Sequence, residues 1–194
     1  TSSSTEEYDG SSWTAGGALS TAKYARGGAG TQTAGLAFGG GFPLTTATEE
    51  YDGSTWTTGG ALTTARSYIA GAGTQTAALA AGGGTPGVTA VTEEYDGSSW
   101  TAGGSLNTAR SQTTGAGIQT AALVFGGLAP GVTGATEQYD GSSWTSISSM
   151  STARGYLAGD GTTSAAVGFG GNPYSAVTEE FNAYGPTTAT ITTT

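Results

Sequence analysis

The side chains of this chain that could do chemistry are mostly carboxylates and tyrosines, and they lie in one repeated phrase. The phrase reads Thr-Glu-Glu-Tyr-Asp-Gly-Ser-Ser-Trp at residues 5–13, and it returns with single changes at 48–56 and 136–144 and unchanged at 92–100. A shorter copy, TEEFNAY, occupies 178–184. All fourteen acidic residues except Asp160 belong to these copies. Carboxylates beside tyrosines suggest glycan cleavage, and carboxylate oxygens are also ligands for Ca²⁺.

The composition excludes several other chemistries. The chain has no Cys and no His, so it cannot form disulfides, typical zinc sites or catalytic triads that depend on either residue. No stretch has the ligand spacing of an EF-hand, which leaves the Ca²⁺ hypothesis weak. We therefore expect no cofactor and no metal site.

The charge balance bears on the possible partners. Five basic residues stand against fourteen acidic ones, for a net charge of −9. Binding to nucleic acid depends on neutralising phosphates, so we expect no nucleic-acid partner. No apolar run approaches the length of a membrane-spanning helix, so we also expect no membrane insertion. The chain begins at Thr1 with no apolar leader, and we expect it to be processed or part of a longer protein.

Four kinds of marker recur with the same period. The tyrosines of the phrase, Tyr8, Tyr51, Tyr95 and Tyr139, are 43, 44 and 44 residues apart, and the four tryptophans keep these spacings. So do the Gly pairs, and so does a basic position. That basic position is occupied by Lys23, Arg66, Arg110 and Arg154. Such a recurrence is typical of one supersecondary unit that stacks on its neighbours.

Each unit has the pattern of short strands. Gly contributes 36 of 194 residues, which opposes helix, and no stretch shows a sustained helical period. The Asp-Gly dipeptide between two extended runs is a strong signal for a tight turn. Leu, Ile, Val and Phe are scarce enough to suggest disorder, but the apolar residues recur in register. We therefore predict an all-β domain of about four short strands per unit, with a core of Ala, Gly, Thr and aromatic rings.

The markers resemble those of the kelch repeat family. A Gly pair closes the second strand, a Tyr follows, and a Trp comes five residues after the Tyr, as in Gly82-Gly83, Tyr95 and Trp100. The fourth unit departs from this pattern, because Phe181 replaces the Tyr and no Trp follows. In particular, the phrasing is similar to tandem kelch-like repeats of marine viral and bacterial sequences. The resemblance implies a small β-propeller of about four four-stranded blades, each of 43–44 residues.

Closure of the ring is the open question of architecture. We assign residues 1–181 to the propeller and 182–194 to a Thr-rich C-terminal tail or a closing or inter-chain strand. The two termini are expected to close the ring, with the ribbon from Tyr8 to Trp13 joining the strands at 154–169. Tyr8 and Phe181 then compete for one position. A ring of five blades, or one completed in an oligomer, is the alternative.

The first Glu of the phrase is expected to pair with the recurring arginine. Strand alternation places this Glu on the same face as the Tyr, where an unpaired carboxylate would be costly. The predicted structural network contains Glu6, Glu49, Glu93, Glu137, Arg66, Arg110 and Arg154. Because these residues recur in every unit, we interpret them as structural rather than catalytic.

Function is expected where the copies differ. The start of the first strand varies between units, and in a propeller this strand faces the central channel. Ligand-binding candidates at the channel mouth are Tyr24, Arg26, Tyr68, Gln112, Tyr156 and Asp160. The loop after the Gly pair also varies. Candidate loop contacts are Phe42, Leu44, Leu128 and Tyr174. Aromatic faces with Arg, Gln and Asp are suited to a sugar, although Tyr68 and Tyr156 could instead cap the channel.

These patterns favour a non-enzymatic extracellular propeller, for adhesion or for binding a receptor or glycan, in a viral tail or fibre or on a cell surface. The expected partners are a glycan, a protein receptor or neighbouring subunits, and a homo-oligomer is possible. One alternative is a glycan-active enzyme, because Asp-Gly-Ser-Ser-Trp is similar to the Asp-box turn of sialidases, though one residue shorter. Another is a purely structural subunit of an assembly.

Overall fold

The computed structural model describes residues 2–182, which form four antiparallel β-sheets arranged as blades in a ring. Blade 1 consists of β3 (Gly27–Thr31), β4 (Ala34–Phe38), β5 (Thr48–Tyr51) and β6 (Trp56–Thr58). Blade 2 consists of β7 (Ala70–Thr74), β8 (Ala77–Ala81), β9 (Thr92–Tyr95) and β10 (Trp100–Ala102). Blade 3 consists of β11 (Thr114–Ile118), β12 (Ala121–Phe125), β15 (Thr136–Tyr139) and β16 (Trp144–Ile147).

The remaining strands depart from this regular plan. Blade 4 has three strands, β17 (Ala158–Gly161), β18 (Ala165–Phe169) and β19 (Thr178–Asn182). The N-terminal ribbon has two, β1 (Glu6–Tyr8) and β2 (Trp13–Ala15). A small hairpin in blade 3 has β13 (Leu128–Ala129) and β14 (Gly131–Val132). No helix occurs in residues 2–182. The prediction of a small all-β propeller with four blades is therefore confirmed, and residues 183–194, which include most of the predicted tail, lie outside the described part.

The innermost strands are rich in glycine because the axis of a four-bladed ring is crowded. A Cβ atom on Gly71 of β7 would collide with the carbonyl oxygen of Gly28 in blade 1, and one on Gly115 of β11 would collide with that of Gly71. Backbones can approach this closely only without side chains. The four inner strands surround a narrow axial channel of about 350 Å³.

Three apolar clusters hold consecutive blades together. The cluster between blades 1 and 2 includes Leu36, Phe38 and Trp100, and the other two join blades 2 and 3 and blades 3 and 4. Blade 4 differs on the face that is turned away from blade 3. There Phe169, which corresponds to the buried Phe38 of blade 1 and Phe125 of blade 3, is 46% exposed. Among the described residues, no apolar cluster joins blade 4 to blade 1.

The expected closure by the N-terminal ribbon is wrong in one respect. β18 pairs with β17 and β19, so Phe181 rather than Tyr8 takes the third-strand position of blade 4. β1 pairs only with β2, and the ribbon packs against blade 1, where the Trp56 indole donates to the Thr5 hydroxyl at 3.0 Å. The physical reason is the short separation along the chain between the strands that pair. β19 follows β18 after a short loop, whereas pairing with β1 would require the opposite end of the chain.

A buried ion pair fastens the segment that leads into the first strand of each blade to the third strand of that blade. In blade 2, Arg66 Nη2 lies 2.9 Å from Glu93 Oε1, and both side chains are fully buried. Arg110 pairs with Glu137 at 3.1 Å in the same way. The second carboxylate oxygen of Glu93 accepts from the backbone N–H of Thr63 at 2.7 Å, in the segment that arrives from blade 1. The pair therefore positions the connection between blades as well as the strands of one blade.

The predicted network is wrong for two glutamates, Glu49 in blade 1 and Glu6 in the ribbon. Glu49 pairs at 2.9 Å with Arg26, which was expected at the channel mouth, and not with Lys23, the residue at the arginine position of the repeat. Glu6 is exposed and forms no ion pair among residues 2–182. Its unit consists of only the third and fourth strands, and the arginine belongs to the start of the first strand. In blade 4, Arg154 pairs with Glu179 at 2.9 Å.

Replacing Arg110 with Met should destabilise the fold by about 3–5 kcal/mol, because it leaves the Glu137 carboxylate buried without its cation. The measurement is the free energy of unfolding in urea at neutral pH. The double variant Arg110→Met/Glu137→Met should recover much of this loss, because it removes both charges.

Glu6→Gln is the matched control, since Glu6 occupies the same position of the phrase as Glu137 but is exposed. We expect its unfolding free energy to lie within about 0.5 kcal/mol of the wild type. Equal losses for Glu6→Gln and Glu137→Gln would contradict the structural role of the buried pair.

Candidate ligand-binding face

The start of each inner strand carries a residue with left-handed backbone geometry. These four equivalent residues are Ala25, Tyr68, Gln112 and Tyr156, with φ of 54°, 55°, 58° and 55°. Their amides and carbonyls form a hydrogen-bonded series around the axis: Tyr68 N–H donates to Ala25 O at 2.8 Å, and Tyr156 N–H to Gln112 O at 2.9 Å. The series therefore places four variable side chains around one mouth of the axial channel.

Two of these side chains meet across the channel mouth. The Tyr68 and Tyr156 rings contact each other edge to face, with centroids 5.4 Å apart and an interplanar angle of 83°. They come from blades 2 and 4, which are opposite in a four-bladed ring. Burial, together with the neighbouring Tyr156, raises the pKa of the Tyr68 hydroxyl. Tyr156 remains 52% exposed, so its ring faces solvent.

The variable loops rise at the same end of the propeller. In blade 3, Leu128 forms an antiparallel bridge with Ser111, the residue before Gln112, and Asn172 bridges Gly155, the residue before Tyr156. Each loop thus begins beside a mouth residue. Its tip is apolar in every blade, with Phe42, Val88, Val132 and Tyr174 all at least 40% exposed. We call this end, with its mouth residues and loop tips, the mouth face.

The predicted loop contacts fall into two groups on the mouth face. Phe42 is 85% exposed, and Tyr174 is fully exposed at 104%. Leu44 and Leu128 are half-buried, and Leu128 belongs to the small hairpin. Phe42 and Tyr174 are thus free to contact a partner, whereas Leu44 and Leu128 mainly support their loops.

Three of the residues predicted at the channel mouth do not occupy left-handed positions as Tyr68, Gln112 and Tyr156 do. Tyr24 lies one residue before the mouth position of blade 1, which is Ala25, and is 45% exposed. Arg26 is held by Glu49. Asp160 lies four residues beyond Tyr156 and lines the axial channel, where its Oδ1 accepts from the Gly161 N–H at 2.7 Å. The sequence could not separate these positions, because it does not show which residue adopts positive φ.

The opposite end of the propeller carries the aspartates of the phrase. Asp96 Oδ1 accepts from the backbone N–H groups of Ser98 and Ser99 at 2.8 Å, and Asp9, Asp52 and Asp140 make equivalent turns. Hydrogen bonds from Ser99 and Ser98 lower the pKa of Asp96 to about 2. Those from Ser143 and Ser142 lower the pKa of Asp140 to about 2. These carboxylates are committed to their turns, which favours a structural role over a catalytic one.

The second Glu of the phrase joins neighbouring units, a role that the sequence analysis missed. Glu94 Oε1 accepts from the Tyr139 hydroxyl at 2.5 Å, and Tyr51 and Tyr95 donate in the same way to Glu7 and Glu50. Burial and the Glu94 carboxylate raise the pKa of Tyr139 to about 12. One signal was available in the sequence: the single replacement of this Glu, Gln138, comes before the only unit with Phe181 in place of Tyr.

The mouth face carries groups that are chemically suited to stacking and to neutral hydrogen bonds. Its chemically useful groups are the Tyr68 and Tyr156 rings, their hydroxyls and the Gln112 amide. Within residues 2–182, no three carboxylates converge as a set of metal ligands. The same residues contain no helix long and apolar enough to cross a membrane.

Comparison with known proteins adds no assignment. The sequence matches no protein-family model and no curated protein.

Acid should destabilise the protein as the pH falls from about 4 to about 2. Asp96 and Asp140 titrate near 2 in the fold and near the ordinary value of 3.8 in the unfolded chain. A depressed carboxyl pKa contributes stability above the unfolded value, and this is lost as the pH falls through the folded value. Urea unfolding at pH 7, 4 and 2.5 measures the loss.

Asp96→Asn should reduce this acid dependence, because the amide oxygen still caps the turn but does not titrate. Asp160→Asn, outside the turns, is the control and should leave the turn contribution in place. If Asp96→Asn retained the full acid dependence of the wild type, the turn carboxylate would not be its source.

Tyr139→Phe should cost about 1.5–3 kcal/mol in unfolding free energy, because it leaves the Glu94 carboxylate without its donor. Adding Glu94→Gln should recover part of the loss, since this double variant reproduces the natural combination of Gln138 and Phe181. Tyr8→Phe is the control, because Tyr8 is 48% exposed in the ribbon. No recovery in the double variant would contradict the pairing.

Proposed function

We propose that this chain is a non-enzymatic, kelch-type propeller that binds a carbohydrate on its mouth face, outside a cell or on a virion. One observation carries the proposal: bulky side chains occupy three of the four left-handed positions at the channel mouth. Tyr68, Gln112 and Tyr156 stand where the backbone itself favours glycine.

The strain at these positions is the physical argument. A non-glycine residue in the left-handed region costs on the order of 1 kcal/mol, and residues held in this way cluster at binding sites. Elsewhere this chain places Gly at positive φ, for example at Gly82, Gly83 and Gly97. Outside the four mouth positions, every described residue at positive φ is glycine, and at the fourth mouth position, Ala25, the side chain is only a methyl group. At the mouth the chain retains side chains despite the strain, which favours a role for the side chains themselves.

The chemistry of the mouth face suits a sugar. An exposed ring such as Tyr156 can stack on the apolar face of a pyranose, while the Gln112 amide can donate to and accept from hydroxyls. Phe42 and Tyr174 extend this aromatic surface outward. The turn aspartates lie at the opposite end, so the mouth face presents mainly uncharged groups to a ligand. A neutral glycan fits this distribution better than a cationic partner does.

The kelch assignment and the location rest on the sequence pattern. In blades 1 to 3 a Gly pair follows the second strand and the Tyr and Trp lie on the third and fourth strands, which is the pattern expected for kelch repeats. The surface rich in Thr, Ser and Gly, together with the resemblance to viral and bacterial repeats, supports a place in a viral tail or fibre or on a cell surface.

The enzymatic alternative has less support. The aspartates that resemble an Asp-box are held by serines in their turns, and the first glutamates of blades 1 to 4 are held by arginines. The remaining acid of the channel, Asp160, stands apart from the mouth residues. Most glycosidases need two carboxyl groups that face each other across the scissile bond. A sialidase-like enzyme uses a tyrosine with a cluster of arginines instead, and here Arg26, Arg66, Arg110 and Arg154 are each paired with a glutamate.

Binding to a panel of immobilised glycans tests the proposal. We expect the wild-type protein to retain at least one glycan class without releasing product, which mass spectrometry of the glycan would show. Tyr156→Gly should weaken retention about tenfold or more, while its unfolding free energy should stay within about 1 kcal/mol, because glycine relieves the backbone strain.

The control is Ile118→Gly, which removes an exposed side chain of β11. It should leave retention unchanged. Turnover of any glycan would contradict the non-enzymatic assignment. A Tyr156→Gly variant that unfolds more easily but binds as the wild type does would show that Tyr156 only caps the channel.

A further inference from the structure

Three seams between units contain an indole bound to a threonine of the preceding unit. Trp100 Nε1 donates to Thr48 Oγ1 at 2.9 Å, and Trp144 Nε1 donates to Thr92 Oγ1 at 3.0 Å. In the first of these seams the indole also contacts Phe38, edge to face, with centroids 4.9 Å apart. The threonine hydroxyl that accepts from the indole N–H is thus common to these seams, and an aromatic wall accompanies it in the seam between blades 1 and 2.

The seam between blades 3 and 4 has this pattern but no indole among the described residues. Thr136 occupies the position of Thr48 and Thr92, and Phe125 occupies that of Phe38. The Thr136 hydroxyl is buried and donates weakly to Gly134 O at 3.5 Å, so its lone pairs remain available to accept. Beside it is a cavity of about 180 Å³, also lined by Ala166, Gly168 and Phe181.

We propose that this cavity is a binding site for a small planar aromatic molecule with an N–H donor, such as indole. The cavity is open to solvent on one side, where Glu179 and Glu180 also line it, and its volume is comparable to that of engineered apolar cavities of about 150 Å³ that bind benzene. Phe125 and Phe181 supply aromatic contacts, and Thr136 Oγ1 accepts the N–H, as Thr48 does from Trp100. The ligand therefore repeats an interaction that the protein already makes within its own chain.

The exposed Trp13 of a second copy is a poorer occupant. In the seam between blades 2 and 3, a Cβ atom on Gly104 would collide with the backbone at Ser142, in the turn that precedes Trp144. The equivalent residue in the seam between blades 3 and 4 is Ser148, which has a Cβ. A ribbon with an Asp-Gly-Ser-Ser turn cannot approach Ser148 as closely as blade 3 approaches Gly104. A free molecule brings no such turn with it.

Calorimetry or ligand-observed NMR with indole on the full chain tests the site, with 1-methylindole as the matched ligand. We expect saturable binding of indole at one site per chain. Binding of 1-methylindole should be several-fold weaker, because it lacks the N–H that Thr136 would accept. No binding of indole, or equal affinity for the two ligands, would overturn the proposal.

Substitutions in the cavity test whether the ligand binds there. Thr136→Val should lower the affinity for indole several-fold and leave 1-methylindole unchanged. Ala166→Leu, which fills the cavity, should abolish binding of both ligands. Thr92→Val is the control, because Thr92 already binds Trp144, and it should leave the affinity for indole unchanged.

Two results would assign the site differently. If Thr136→Val had no effect on the affinity for indole, the donor–acceptor geometry would be wrong. If the wild-type protein self-associated, and if the Trp13→Ala variant did not and bound indole in the cavity, the natural occupant would be a second copy. Sedimentation of the wild type and of Trp13→Ala at several concentrations separates this case, and the proposal predicts the same mass for both.

Discussion

The buried pair of Arg and Glu is the interaction on which the rest of the structure depends. Burying either charge alone would cost several kcal/mol, so the first and third strands of a blade must meet for the blade to be stable. The glutamate also accepts from the segment that arrives from the previous blade, as Glu93 does from Thr63. A single carboxylate thus fixes both the shape of a blade and the entry of the chain into it. A protein with few large aliphatic residues achieves order in this way.

Several hydrogen bonds between units run from a donor in one unit to an acceptor in the preceding unit. Tyr and Trp of one unit donate to Glu and Thr of the preceding unit, and the Gln119 amide of blade 3 donates to Ala78 O and Tyr95 O of blade 2. Such a series leaves unmatched groups where it begins and ends. Trp13 is 66% exposed at one end, and Thr136 has no indole near the other. The exposed Trp13 and the Thr136 that lacks an indole therefore mark the two ends of the repeated series of bonds.

The sequence predicted the repeat, the strands, the turns and the pairing of Arg with Glu, because each depends on residue types at fixed spacing. It could not predict that Arg26 replaces Lys23 as the partner of Glu49, since the two lie three residues apart on the same irregular segment. The positive φ at Tyr68, Gln112 and Tyr156 was also hidden, because no glycine marks these positions. The choice of Phe181 over Tyr8 in blade 4 depends on a competition between distant segments, which local pattern does not decide.

The placement of the turn aspartates has an electrical consequence. The four turn aspartates at one end of the propeller, with the aromatic residues of the mouth face at the other, contribute an electric dipole along the propeller axis. Cell surfaces are commonly negative, and within a Debye length of about 8 Å at physiological salt such a surface repels the aspartate end. Under the function proposed above, this repulsion would favour the orientation in which the aromatic end faces the surface. The turns that build the blades would thus also bias the orientation of the chain before any contact is made.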